Sequence, residues 1–268
     1  REAMPGLNAI ISKMPYRLAL SGGWIDQPFV SRHNPEPPGS MVVVAVNPTF
    51  AWMPKCGLGT STRQAAIRLW GDTLPDEDPQ ILMRELYRLE NADKPDPSGS
   101  QDMAGILFPG INRLDYDANF EDGYFPVHIE SNNDTKVAAW LESVIHVLPV
   151  NQRPPGYFPL GIKNLDPEWI GRLGITGKDC FDAIIEMDAQ RLGETMNETM
   201  RCWEAILPHV VQHPTITMDL MALLSYYQSR YHGAMYSGCG GGYFYIISDE
   251  PVPGTFGVSI RIKPEEGN

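Results

Sequence analysis

Gly57-Leu58-Gly59-Thr60-Ser61-Thr62 stands directly before a run, 60–70, that reads as a helix. Glycine lets a backbone come close to a bound group. The start of a helix offers unpaired N–H groups at the positive end of its dipole. A stretch of this kind can cradle a phosphate, with the hydroxyls of Thr60 and Ser61 open to a phosphate oxygen or a metal ion. The same residues also suit an ordinary turn capped by Thr60 or Ser61. The Gly-Lys-Ser/Thr ending of a Walker loop is absent, so the reading depends on what surrounds the stretch.

Upstream, 16–20 and 41–46 predict strands, joined by a Pro/Gly-rich loop that carries Asp26, Arg32 and His33. Downstream, 79–91 predicts a second helix, broken by Pro95, Pro97 and Gly99 before Gln101 and Asp102. The run 106–116 suggests a strand, a turn and another strand, and 135–148 a strand or helix. Apolar residues three and four apart predict helices within 178–203 and 218–232. Strands are predicted over 243–248 and 257–263. Strands, then helices, then strands indicate an α+β fold. Two lobes are expected, 1–140 and 141–268.

Ser237-Gly238-Cys239-Gly240-Gly241-Gly242 forms a second glycine run. Four glycines in five residues cost chain entropy on folding, and a tight turn needs only one or two. The backbone here is expected to lie close to a ligand or another loop. Glu90, at the end of a predicted helix, and Asp102 form a third candidate group. Phosphoryl transfer uses one carboxylate on Mg²⁺ and often another near the accepting hydroxyl. Solvated acids at helix ends look the same in a sequence.

The 268 residues carry a formal net charge of −12 and are 43% apolar. That balance permits a real core and disfavours a nucleic-acid partner, whereas a nucleotide can be held by backbone N–H groups and a metal. No apolar run approaches a membrane span and no secretory pattern opens the chain, so a cytoplasmic protein with no membrane partner is expected. Cys56, Cys180, Cys202 and Cys239 form no Cys-x-x-Cys, which argues against a disulfide framework or zinc site. His209 and His213 have the spacing of a metal pair on a helix, but Pro208 and Pro214 bracket them. No metal held by histidine is expected, and His33 and His232 are read as structural.

The order of these features resembles the GHMP kinase superfamily. Pro15-Tyr16-Arg17-Leu18-Ala19-Leu20-Ser21-Gly22-Gly23-Trp24-Ile25-Asp26 is similar to its first motif, Gly57 to Thr62 to its phosphate loop, and Ser237 to Gly242 to its third motif. Gly22-Gly23-Trp24-Ile25-Asp26-Gln27-Pro28 looks most like the heptose 7-phosphate kinase and L-fucokinase branches. The resemblance implies a two-lobed fold with mixed β-sheets and a helical layer. It also implies an ATP- and Mg²⁺-dependent kinase acting on a hydroxyl of a sugar or sugar phosphate. By the same resemblance Gly57, Leu58, Gly59, Thr60, Ser61, Thr62, Gly240 and Gly241 would serve the nucleotide. Ser61 and Glu90 would hold Mg²⁺, and Gly22, Gly23, Asp26 and Gly238 would meet the substrate. Asp102 would orient or deprotonate the acceptor, and Arg17 would steady the transferring phosphoryl group. A kinase of a non-sugar alcohol, such as mevalonate or homoserine, and a binding protein that has lost the chemistry are the alternatives.

The sequence departs from the family at Arg63 and Gln64, where small residues usually continue the loop, and at Cys239, which replaces an alanine. Arg63 could change how the nucleotide sits, or be a solvated helix residue. About ten residues join the strand 41–46 to Gly57, where the family has several more strands and a helix. Either the nucleotide lobe is trimmed or segments are missing from the sequence near Met53–Lys55 and between Gly71 and Gln80.

Overall fold

The computed structural model describes residues 13–49 and 57–264. Strand β2 (Gly39–Val46) is buried along its whole length, as suits branched apolar residues between two neighbours. β1 (Tyr16–Ala19) pairs with one edge of β2, β3 (Ile111–Tyr116) with the other, and β4 (His128–Asn132) completes the order β1-β2-β3-β4. The register sets Arg17 opposite Ala45 and Ser40 opposite Asp115, where the Ser40 hydroxyl donates to Asp115 at 2.6 Å. A second sheet runs β5 (Ile145–Pro149), β7 (Gly241–Ile247), β6 (Gly233–Gly238).

The helices are α1 (Pro28–Ser31), α2 (Thr60–Trp70), α3 (Pro79–Asn91), α4 (Gln101–Leu107), α5 (Thr135–Val144), α6 (Pro167–Ile185), α7 (Ala189–Ile206), α8 (Pro208–Val211) and α9 (Leu220–Arg230). Asp78, Asp134, Asp166, Asp188 and Asp219 each accept a backbone N–H at a helix start. Asp78 and Asp166 are followed by proline, which suits the first helical turn. α6 and α7 form a hairpin that joins the sheets: α6 packs on β2 and β3, α7 on β6 and β7. The approach of α6 is close enough that a Cβ on Gly177 would collide with the Ser40 carbonyl. Residues 256–261 tie the sheets again, through bridges from Phe256 to Val147 and from Ile260 to Val46.

The α+β class, two sheets and a helical layer agree with the expectation. Every described strand pair is antiparallel, however, so the sheets are not mixed. The run 106–116 is not a hairpin of strands: Gln101–Leu107 is helical, and Asp102 stands in its first turn. The helix expected from 178 begins eleven residues earlier, at Pro167, and stops where Met187 takes φ 54° and Asp188 caps α7. Residues 257–263 are not a strand but a crossing segment with one isolated bridge, at Ile260. β4 and β6 were not anticipated. The segment 71–78 is a short connection between α2 and α3, while Met53–Lys55 lie outside the described residues. Among the described residues no helix is long and apolar enough to cross a membrane.

If the Gly177 contact sets the distance between α6 and β2, Gly177→Ala should lower unfolding free energy by about 1–3 kcal/mol. Gly257→Ala, whose Cβ would meet nothing within 4 Å, should stay within about 0.5 kcal/mol of the parent in the same urea titration.

Candidate functional site

The two glycine runs meet. A Cβ on Gly57 would stand 2.6 Å from Gly238 Cα, and one on Gly238 would stand 2.7 Å from Gly57 Cα, so neither position admits a side chain. Gly57 and Gly59 take φ of 77° and 67°, a backbone that glycine adopts freely. Gly59 caps α2, and among the described residues no side chain accepts from the first amides, so the N-terminus of α2 borders the cleft. In the other run, Cys239 and Gly240 form the turn between β6 and β7, and Gly240, Gly241 and Gly242 all have positive φ.

Arg17, on β1, is almost wholly buried and forms an ion pair through Nη2 with Asp102 Oδ1. Its Nη1 donates to the Gly57 carbonyl at 3.3 Å. Gly105, one turn along α4 from Asp102, leaves room for the Arg17 stem; any Cβ there would overlap it. Gly59 borders the same pair, its Cβ direction reaching Asp102 Oδ1 at 3.4 Å and Arg17 Nε at 3.5 Å. Gln101 Nε2 also donates to Asp102 Oδ1, at 3.2 Å. Both of these partners use Oδ1, and the Asp102 carboxylate lines the cleft.

The loop after β1 is held from behind by α7. Ser21 bonds Thr195 at 3.0 Å, the Gly22 amide donates to Thr199 at 3.3 Å, and Trp203 Nε1 donates to the Gly23 carbonyl at 2.9 Å. Trp24 takes φ 79° and faces the cleft, and Asp26 follows it into a buried position against Gly99, where a Cβ would overlap the carboxylate. The Asp26 carboxyl is pushed up from 3.8 to about 7, chiefly by burial and then by the Asp102 charge, against the smaller opposing pull of backbone N–H groups and Arg17.

Glu90, at the end of α3, accepts from Thr62 Oγ1 at 2.6 Å and from Ser61 Oγ at 3.3 Å, and Lys94 lies 3.6 Å from it. A carboxylate beside a serine hydroxyl is a hard-oxygen set that suits Mg²⁺. Arg63 is neither solvated nor among the residues that line the cleft. It is buried, donates to the Met14 carbonyl at 2.9 Å and lies over the Tyr16 ring at 4.1 Å. His209 and His213 stack edge-on at 4.7 Å.

One cleft of about 380 Å³ gathers Arg17, Gly23, Asp26, Gly57, Gly59, Thr60, Ser61, Asp102 and Gly238. Leu58 and Thr62 are buried behind it, Glu90 stands one hydrogen bond back, and Gly22 is wedged against Ser40 and Met41. Gly240 and Gly241 face Tyr157 and Asn151 rather than the cleft. Trp24, Gln27, Gln101, Arg153, Trp203 and Cys239 also line it and were not foreseen as site residues. Trp24 and Gln27 lay inside a motif already singled out, and Cys239 was noted as a departure. Arg153 and Trp203 reach the cleft from distant segments and carried no local signal.

Asp26 is costly to ionise in place, and the sign follows from its raised value. Below about pH 4 folded and unfolded chains both hold the proton, and the carboxyl carries no penalty. Between about 4 and 7 the unfolded chain ionises first, so folding loses stability as pH rises, and the full cost persists above 7. Asp26→Asn should therefore be on the order of 2–4 kcal/mol more favourable relative to the parent at pH 8 than at pH 4. Urea unfolding at the two pH values reads this directly, and a pH-independent difference would contradict it.

No protein-family model and no curated protein sequence matches the chain. Solved structures do resemble it. A mevalonate kinase superposes with TM-score 0.58 at 11% identity over 94% of this chain and 99% of that one. A D-glycero-D-manno-heptose 1-phosphate kinase from Bacteriodes thetaiotaomicron superposes with TM-score 0.58 at 13% identity over 92% and 95%. Lactococcus lactis galactokinase complexed with galactose gives TM-score 0.62 at 10% identity over 93% and 92%. The chain has the fold of the GHMP kinases.

Proposed function

We propose that the protein is a small-molecule kinase that moves the γ-phosphate of ATP onto a hydroxyl of a sugar or sugar phosphate. The observation that carries this is the juxtaposition at Gly59: the open N-terminus of α2 borders the buried Arg17–Asp102 pair within one cleft. Anionic phosphates are favoured at such a terminus, and a carboxylate beside it can meet an acceptor.

In this reading the amides of Gly59, Thr60 and Ser61 bind phosphate oxygens. Ser61 and Glu90 hold Mg²⁺, which when bound neutralises charge between the β- and γ-phosphates. Thr62 fixes the Glu90 carboxylate by its 2.6 Å bond. Asp102 Oδ2 accepts the proton, or the hydrogen bond, of the acceptor hydroxyl. Arg17 holds Asp102 in orientation and adds positive charge beside the transferring group. Asp26, with Gln27 and Gln101 nearby, offers acceptors and donors to a polyhydroxylated substrate, and the indoles of Trp24 and Trp203 offer apolar faces to its ring. The chain would divide near residue 140, with 1–140 as the nucleotide lobe around the first sheet and 141–268 as the lobe around the second.

The resemblance extends to a mevalonate kinase as well as to sugar kinases, so a non-sugar alcohol is the competing acceptor. A coupled assay of ADP release over sugars, sugar phosphates, mevalonate and homoserine tests the reading, and no acceptor-dependent ADP release with any of them would defeat it. With an accepted substrate, Asp102→Asn should cut kcat at least 100-fold while the KM for ATP moves only a few-fold. Glu90→Gln should raise the Mg²⁺ concentration needed for half-maximal rate by about tenfold, whereas Glu85→Gln, on the exposed face of α3, should not.

A further inference from the structure

Arg153 lies in the segment between β5 and α6 and lines the cleft. Among the described residues no carboxylate pairs with it. Its Nη1 donates to Cys239 Sγ at 3.4 Å, a weak acceptor, and its Nε is shielded from solvent with no partner among the described residues. Among the described residues the other cation that lines the cleft, Arg17, is engaged by Asp102.

Its backbone setting is fixed. Asn151 Nδ2 donates to the Gly240 carbonyl at 2.9 Å, and its Oδ1 accepts from the Gly242 amide at 3.0 Å. Tyr157, four residues on, packs its ring against Gly240 and donates to the His209 carbonyl at 2.9 Å. The glycine turn and the Arg153 segment are thereby locked to each other, and the guanidinium is pre-positioned at the Cys239 edge of the cleft. A planar fork of donors with one thiol for a partner matches a bidentate oxyanion.

We propose that Arg153 forms an oxyanion subsite that selects an acceptor already carrying a phosphate or carboxylate group. The inference rests on the kinase reading and narrows its acceptor to a charged one. Arg153 would bind the group remote from the reacting hydroxyl, while Asp102 faces that hydroxyl. Phosphate and carboxylate share this chemistry, and the choice between them is left to experiment.

The test compares matched acceptors with MgATP: a neutral hexose, its 6-phosphate and its uronic acid, on the parent, Arg153→Gln and Arg153→Lys. The parent should prefer one charged member over the neutral hexose. Arg153→Gln should lower that ratio of kcat/KM by about 10- to 100-fold, mainly through the acceptor KM. Arg153→Lys, which keeps the charge and loses the fork, should fall between. An unchanged ratio in Arg153→Gln, or an effect confined to the KM for ATP, would overturn the subsite and leave the kinase intact. If no member is phosphorylated, the acceptor panel fails, and iodoacetamide labelling of Cys239 decides the subsite separately, read on its peptide by mass spectrometry. Protection by the 6-phosphate or the uronic acid, but not by the neutral hexose, in the parent and its loss in Arg153→Lys or Arg153→Gln supports the subsite. Equal labelling with and without them rejects it.

Discussion

A buried guanidinium must be paired, and the pairing of Arg17 with Asp102 dictates much of what surrounds it. Arg17 sits on β1 beside β2, almost wholly buried at the edge of the cleft, so its charge has little water to solvate it. Its stem passes where α4 carries Gly105, its head meets Asp102 in the first turn of that helix, and its remaining reach ends on the Gly57 carbonyl. The start of α2 is thus fixed against the start of α4 through one side chain. Truncating either partner would leave an unmatched charge in the interior, and a larger residue at Gly105 would displace the pair.

Much of this was legible in the sequence because it is local. Helix starts are written in adjacent residues: Asp78-Pro79 supplies both a capping carboxylate and a proline suited to the first turn, and α3 begins there. The excess of glycine at 238–242 announced a close approach, and the structure supplies its partner in Gly57. The failures are equally physical. α4 is a seven-residue helix whose Gly105 lowers its intrinsic propensity, and tertiary packing beneath Arg17 overrides that preference. β6, Gly233–Gly238, opens and closes on glycine and reads as turn until it is paired with β7. Arg63 followed a loop motif and invited a role at the nucleotide, yet its side chain turns back onto Tyr16. The positions of Trp203 and Arg153 depend on how α7 and the glycine turn dock, which no window of sequence contains.

That difference in legibility follows the division of labour in the cleft. The groups expected to handle phosphate lie within 17–102 and are bound to one another by backbone contacts and a buried charge pair, so each is constrained by the others. The groups proposed to meet the acceptor come from both halves of the chain. Gly23 is held by Trp203 of α7, and Cys239 borders Arg153. Arg153 carries no buried charge partner, so replacing it leaves no carboxylate stranded, whereas replacing Arg17 strands Asp102. The physical consequence is that the Arg153 side of the cleft can change its chemistry at small cost to the fold, while the Arg17–Asp102 side cannot. The same fold is seen in a mevalonate kinase, a heptose 1-phosphate kinase and a galactokinase at 10–13% identity, so the fold by itself does not choose the acceptor, and that choice falls to the side chains lining the cleft.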